Sequence, residues 1–193
     1  IDTDKDIVCY NNKQLVYEKY EYYMFHKPAG CVSATEDNIH KTVMDYITDT
    51  VHDDLFPVGR LDIDTEGLLL ITNDGALALL SPAKHVAKTY YAKIDGMVTD
   101  EDVNLFEKGV DIGEEKLTKP AKLTILKSKP ISEIKLTITE GKFHQVKRMF
   151  EAVGKRVTYL KRISMGPLVL SDDLKAGEYR KLTIEEINLL INN

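Results

Sequence analysis

Three polar stretches of this 193-residue chain hold side chains that are costly to place where they stand. The first is Gly59-Arg60-Leu61-Asp62-Ile63-Asp64-Thr65-Glu66-Gly67, set between two apolar runs. A charged loop that leaves and re-enters a core at glycine hinges can hold a reactive carboxylate. The same residues would serve an Arg60–carboxylate network that orders a turn. Because Asp62, Asp64 and Glu66 alternate, they would also serve a loop for a divalent cation. The second stretch is Lys88-Thr89-Tyr90-Tyr91. Tyr90 falls on the apolar face of its strand, as a core tyrosine would. If that face borders a cleft, its ring could stack on an extruded base. The third is Glu140-Gly141-Lys142-Phe143-His144-Gln145-Val146-Lys147-Arg148-Met149. Here His144, Lys147 and Arg148 lie off the most buried line of a helix. A helix N-terminus with cations beside it suits phosphate, and a solvated helix face would show the same pattern.

The elements that must position these residues can be read from periodicity. Ile7–Tyr10 and Leu15–Tyr17 are β-type runs around Asn11-Asn12, a hairpin turn. Tyr22–His26 is a strand stopped by Lys27-Pro28-Ala29-Gly30. Val43, Met44 and Ile47 share a helical face, and Phe56–Gly59 leads into the Arg60–Gly67 loop. Leu68–Thr72 is a buried strand of the continuous apolar kind, closed by Asn73-Asp74-Gly75. Ala76–Leu80 reads as helix, ended by Ser81-Pro82, and Lys88–Asp95 alternates as a half-buried strand does.

Thr99 with Asp102 makes a capping box for a helix to Lys108, stopped by Gly109. Ala121–Leu126 and Glu133–Thr139 form a strand pair. Val146, Met149, Phe150 and Val153 form a helical stripe followed by Gly154. Strands at Val157–Ile163 and Leu168–Leu170 precede a last helix capped by Thr183 with Glu186. Interleaved helices and adjacent strand pairs predict an α+β fold with a mixed or antiparallel sheet.

Composition narrows the function. Net charge is −5, which argues mildly against nucleic acid, but the charge is uneven. Glu36–Glu66 carries nine acids against two bases, and Lys119–Gly166 twelve bases against three acids. The second segment is a candidate RNA-facing surface or a solvated charged face. No apolar run approaches the roughly 20 residues that span a bilayer. The acidic opening Ile1–Asp6 is unlike a signal peptide, so a cytoplasmic protein is expected. Cys9 and Cys31 form no disulfide or metal pattern and read as reduced, buried thiols. No phosphate-binding glycine loop, dinucleotide fingerprint, zinc motif or nucleophile elbow is present, which disfavours ATPase, dehydrogenase and hydrolase readings.

Gly59 to Leu70 followed by Thr72-Asn73-Asp74-Gly75 resembles the signature of the RsuA-type branch of pseudouridine synthases. His26-Lys27-Pro28-Ala29-Gly30 resembles the family's Lys-Pro-x-Gly motif, and Lys88-Thr89-Tyr90 its Lys-x-Tyr motif. Phe143–Phe150 and Gly177–Thr183 look like the enzyme of small-subunit rRNA; large-subunit relatives usually carry Asn-Arg in place of His144-Gln145.

The resemblance implies a catalytic domain over residues 19–193, with two lobes around a cleft. Residues 1–18 would be the exit of an S4-like RNA-binding domain. The sequence opens on Ile1 rather than methionine, which leaves room for a preceding segment. The resemblance also implies isomerisation of one uridine in 16S rRNA, by analogy uridine 516, with no cofactor and no metal. The expected partner is a ribosomal RNA assembly intermediate, bound by a monomer that does not engage membranes.

Asp62 maps onto the family's carboxylate, as nucleophile at C1′ or as base toward the ribose. Tyr90 would stack on the base, and Lys147 would pair with Asp62 and keep it ionised. Arg60 would fill the gap left by the extruded base or hold a phosphate. His144, Gln145 and Arg148 are further expected RNA contacts, as is the basic strip Lys155, Arg156, Lys161 and Arg162. Competing readings are a large-subunit rRNA synthase, a non-catalytic rRNA-binding assembly factor, and a metal-dependent nuclease.

Overall fold

Two kinds of strand organise the molecule. A computed structural model describes residues 8–10, 13–15, 18–78 and 86–192. Strand β5 (Glu66–Thr72) is buried at every position after the first, because it is covered on both faces. Strand β6 (Lys88–Asp95) alternates buried and more exposed positions, because only one of its faces is covered. Both belong to a nine-stranded mixed sheet that also contains β3 (Tyr22–Lys27), β4 (Phe56–Val58), β7 (Lys122–Lys127), β8 (Ile131–Ile138), β9 (Arg156–Met165), β10 (Leu168–Val169) and β11 (Tyr179–Lys181). Its main order is β11-β3-β5-β9-β6-β8-β7, with β4 on β5 and β10 on β9. Neighbours are antiparallel except β5 and β9, which run parallel and meet at Glu66↔Lys161 and Gly67↔Arg162.

Gly67 is needed at that meeting. Its φ is +111°, and a Cβ there would lie 2.2 Å from the Arg162 carbonyl oxygen.

Three apolar clusters flank the sheet. On the β6–β8 side, Ala92, Ile94, Ile134, Leu136 and Leu160 pack with Phe106 of helix α2 (Asp100–Lys108). Met149 and Phe150 of helix α3 (Gln145–Ala152) join the same cluster. On the β3–β5 side, Tyr22, Met24, Leu68 and Leu70 face Ile187 and Leu190 of helix α4 (Ile184–Ile191). The opposite face of those strands, Tyr23, Phe25, Leu69 and Ile71, packs on Cys31, Val43 and Ile47. Cys31 is a buried free thiol, as expected.

The capping boxes at Thr99–Asp102 and Thr183–Glu186 are both formed, and Gly154 turns left-handed (φ +71°) just after α3. Several expectations change. The Val43–Ile47 helix is only a 3-10 turn, Met44–Tyr46, too short to be more than a corner in an acidic loop. Helix α1 is described over Gly75–Ala78, and residues 79–85 lie outside the described residues, so the Ala76–Leu80 helix and its Ser81-Pro82 stop are described only in part. Strand β11 was not anticipated; its short polar run is made a strand by pairing with β3 at Tyr179↔Phe25 and Lys181↔Tyr23. Of residues 1–18, only the antiparallel pair β1 (Val8–Tyr10) and β2 (Lys13–Leu15), together with Glu18, is described; residues 11–12, the expected turn, lie outside the described residues. No described helix is long and apolar enough to cross a membrane.

Candidate active site

The loop between β4 and β5 carries Asp62 to the floor of a cavity of about 790 Å³, where the two halves of the sheet meet. What holds this loop is mostly its own backbone, gripped by buried side chains. Lys27, at the end of β3, is fully buried. Its Nζ donates to the carbonyls of Asp62 (3.0 Å), Thr65 (2.9 Å), Pro28 (3.1 Å) and Ile63 (3.4 Å). Burial pulls this ammonium below its ordinary range, and the nearby Cys31, Asp64, Asp62 and Glu66 act in the opposite direction.

Ser33 accepts from Leu61 N (3.0 Å) and donates to Leu61 O (2.9 Å), while Gly30 N donates to Ile63 O (2.7 Å). Arg162 closes the clamp from β9: Nε donates to Leu68 O at 2.8 Å and Nη2 to Gly59 O at 2.7 Å, so one guanidinium ties both ends of the loop. Lys27 belongs to the Lys-Pro-x-Gly motif, but that spacing alone does not assign it this clamping role. The one available signal was a lysine at the end of an apolar strand, just ahead of a proline.

The Asp62 carboxylate opens toward α3 and the segment before it. Lys147 Nζ lies 3.5 Å from Asp62 Oδ2, and His144 Nε2 lies 3.7 Å from Asp62 Oδ1. Lys147 is therefore brought to Asp62, but its closer partner is Asp64, at 2.6 and 2.8 Å. Partial burial pushes the Asp64 carboxyl up, yet the Lys147 hydrogen bond and charge outweigh it, and the group is held below the usual carboxylate range. Glu66 turns away from both and accepts from the Tyr159 hydroxyl at 2.7 Å. Thus Asp62, Asp64 and Glu66 do not converge, and among the described residues no cluster of three or more Asp, Glu, His or Cys side chains is arranged to hold a metal ion.

Tyr90 is buried and lines the cavity beside Arg162, its cross-strand partner on β9, and no hydrogen bond holds its hydroxyl among the described residues. Its neighbour Tyr91 points to the other face and donates to Glu133 at 2.8 Å. Lys88 is also buried in the lining; desolvation, together with the Arg162 charge, lowers its ammonium from the ordinary range. Arg60 is exposed at the mouth.

The remaining expected RNA contacts separate. Gln145 is buried, donates to Glu140 (2.7 Å) and accepts from Lys142 N (2.9 Å), so it orders the turn before α3 instead of presenting itself to a ligand. Arg148 binds Glu114 (2.8 Å) and the carbonyls of Phe143 and Ile112, which commits its guanidinium to an internal network. The strip Lys155, Arg156, Lys161 and Arg162 is not one surface, because β9 alternates its side chains. Arg162 is fully buried, and Lys161 faces the other side of the sheet. Lys155 sits in a nearly buried pair with Asp102 (2.8 Å), while Arg156 is exposed beside Asp95 (3.1 Å).

A carboxylate on a fixed loop and an aromatic ring in one cavity, roomy enough for a nucleotide, together suit chemistry on a planar base taken out of its stack. The RNA pseudouridylate synthase family matches residues 21–152. The uncharacterized RNA pseudouridine synthase YtzG of Bacillus subtilis is 48% identical over 194 residues, covering 98% of this chain and 81% of the relative. The ribosomal small subunit pseudouridine synthase A of Yersinia pestis is 46% identical over 169 residues, covering 86% of this chain and 71% of the relative. A crystal structure of a pseudouridylate synthase matches with a TM-score of 0.83 at 36% identity, covering 98% of this chain and 82% of the other. An H/ACA RNP bound to a substrate RNA shares the fold, with a TM-score of 0.60 at 19% identity, covering 81% of this chain and 50% of the other.

Proposed function

This chain belongs to the RNA pseudouridylate synthase family and is an isomerase, and we propose that it converts one uridine of small-subunit 16S rRNA, by resemblance uridine 516, without a cofactor. The observation that carries the reading is Asp62 on its clamped loop, with the Tyr90 ring in the same cavity. The choice of the small subunit rests on His144-Gln145 and on the likeness to the small-subunit enzymes.

The reaction breaks the N1–C1′ bond, turns the uracil and forms C5–C1′, releasing the C5 proton. It is redox-neutral and consumes no second substrate. Extruding the uridine costs roughly a few kcal/mol. Tyr90 offers a face for the extruded base, and exposed Arg60 stands where the vacated gap or a flanking phosphate would lie. Asp62 attacks C1′ or removes a ribose proton, and either role needs it ionised. Lys147, shared between Asp64 and Asp62, supplies the nearby positive charge. The 1–18 segment is proposed as the exit of an RNA-binding region.

The test is tritium release from 5-tritiated uridine, in small-subunit rRNA carrying its early ribosomal proteins and in large-subunit rRNA. Wild type should release about one equivalent from the first and none from the second. Asp62→Asn should release none while its RNA affinity stays within about threefold, since the change is nearly isosteric. Turnover by Asp62→Asn would remove Asp62 from its role, and release from large-subunit rRNA alone would reassign the substrate.

A further inference from the structure

Four of the five phenylalanines are sheltered: Phe25, Phe106 and Phe150 are fully buried and Phe56 partly so. Phe143 is 75% exposed, at the mouth of the cavity. An aromatic ring left in water forgoes the roughly 1.5–3 kcal/mol that burial would contribute, so its placement calls for an explanation.

The ring is not loose. It stacks on His144 with centroids 3.8 Å apart and planes 19° from parallel. His144 reaches that position with φ +47°, the one non-glycine residue in the left-handed region among the described residues. Such strain persists where surrounding contacts over-determine it, and it gathers at functional sites. The contacts are present. Gln145 joins the Lys142 amide to Glu140, Arg148 holds the Phe143 carbonyl, and Lys142 pairs with Glu114 at 3.0 Å. The turn is thus fixed from behind, with one phenyl face covered by imidazole and the other open. The same imidazole lies 3.7 Å from Asp62, so the stack runs outward from the carboxylate.

We propose that Phe143, backed by His144, is a stacking platform for the nucleobase adjacent to the target uridine. This rests on the reading of the cavity as the uridine site. When a uridine leaves its stack, the bases on either side each lose a covered π-face. A rigid aromatic ring at the cavity rim can cover one of them, in a sequence-tolerant way, because every base has such a face. Phe143 would thereby act in substrate binding and in holding the neighbour while the target turns, separate from the bond-breaking step at Asp62.

The experiment places 2-aminopurine beside the target uridine and compares wild type with Phe143→Ala, Phe143→Leu and Phe143→Trp. Wild type should quench the probe on binding. The alanine variant should lose that quenching and bind about 5- to 150-fold more weakly, leucine should resemble alanine, and tryptophan should match or exceed wild type. Thermal unfolding should be unchanged in all three, since the ring packs on no core residue. Wild-type affinity and quenching in Phe143→Ala, or full activity of Phe143→Leu, would overturn the platform. Tritium release by wild type on the same RNA separates this from the parent reading: release with an indifferent Phe143→Ala sinks only the platform, and no release from wild type sinks both.

Discussion

The floor and the rim of the cavity are built in opposite ways. The floor loop, Gly59–Leu68, is held through backbone carbonyls that accept from two fully buried cations, Lys27 and Arg162. The rim, Phe143–Lys147, is held by side-chain pairs near solvent and leaves an aromatic ring uncovered. Carbonyl clamps are indifferent to which side chains the loop carries, so they immobilise Asp62 without occupying its carboxylate. The rim instead keeps its ring and ion pairs available to a ligand. Rigidity belongs where a reacting atom must be placed, and exposure where a large polymer must be met.

The comparison breaks first at Lys27. Lys27→Met keeps the volume but removes the donor from four carbonyls, two of them, at Asp62 and Thr65, within 3.0 Å. Buried acceptors left unpaired cost about 1–3 kcal/mol each, so a total loss of about 3 kcal/mol is expected in denaturant unfolding. The catalytic rate should fall at least about 100-fold as the loop loosens. A variant with wild-type stability and rate would show that the loop holds itself.

Next in size is Arg162→Lys. The charge survives but the fork that spans Gly59 O and Leu68 O does not. Stability should drop by about 1–2 kcal/mol in denaturant unfolding, and the catalytic rate should fall with it as the loop loosens. Wild-type stability in Arg162→Lys would show that a single ammonium ties both ends of the loop as well as the fork does.

The smallest effect is expected at the rim. Asp64→Asn removes the closer of the two partners of Lys147, but Asp64 is 64% exposed and solvent screens the pair. The cost should stay under about 1 kcal/mol. Because the folded Asp64 carboxyl is held below its ordinary value near 3.8, its contribution is complete above that pH and is lost as pH falls further, where the folded group takes up its proton. Unfolding curves of wild type and variant should therefore differ by a constant amount from pH 5 to 7 and converge below about pH 4. A difference that grew in acid would show that Asp64 is not the group titrating.

Much of this is legible in the sequence. The apolar run Leu68–Ile71 and the alternation of Lys88–Asp95 correspond to strands buried on two faces and on one. The Thr99 and Thr183 capping boxes lie where their spacing puts them. Asp62, Tyr90, His144 and Lys147 all border one cavity.

The residues whose places the sequence does not reveal share a physical reason. Arg162 and Lys161 looked alike as adjacent cations, yet period-two geometry sends one to a carbonyl clamp and the other to the opposite face of the sheet. Gln145 and Arg148 looked available on a helix, but their partners, Glu140 and Glu114, come from other segments.

By itself the sequence determined the elements, the family and the residue types of the site, because periodicity, caps and motif spacing act over a few neighbours in the chain. Only the tertiary structure decided which charged groups face the cavity and which hold the chain that forms it. A cation's role depends on what the fold brings within about 3 Å of it, and for Lys27 and Arg162 those partners lie 35 and 103 positions away.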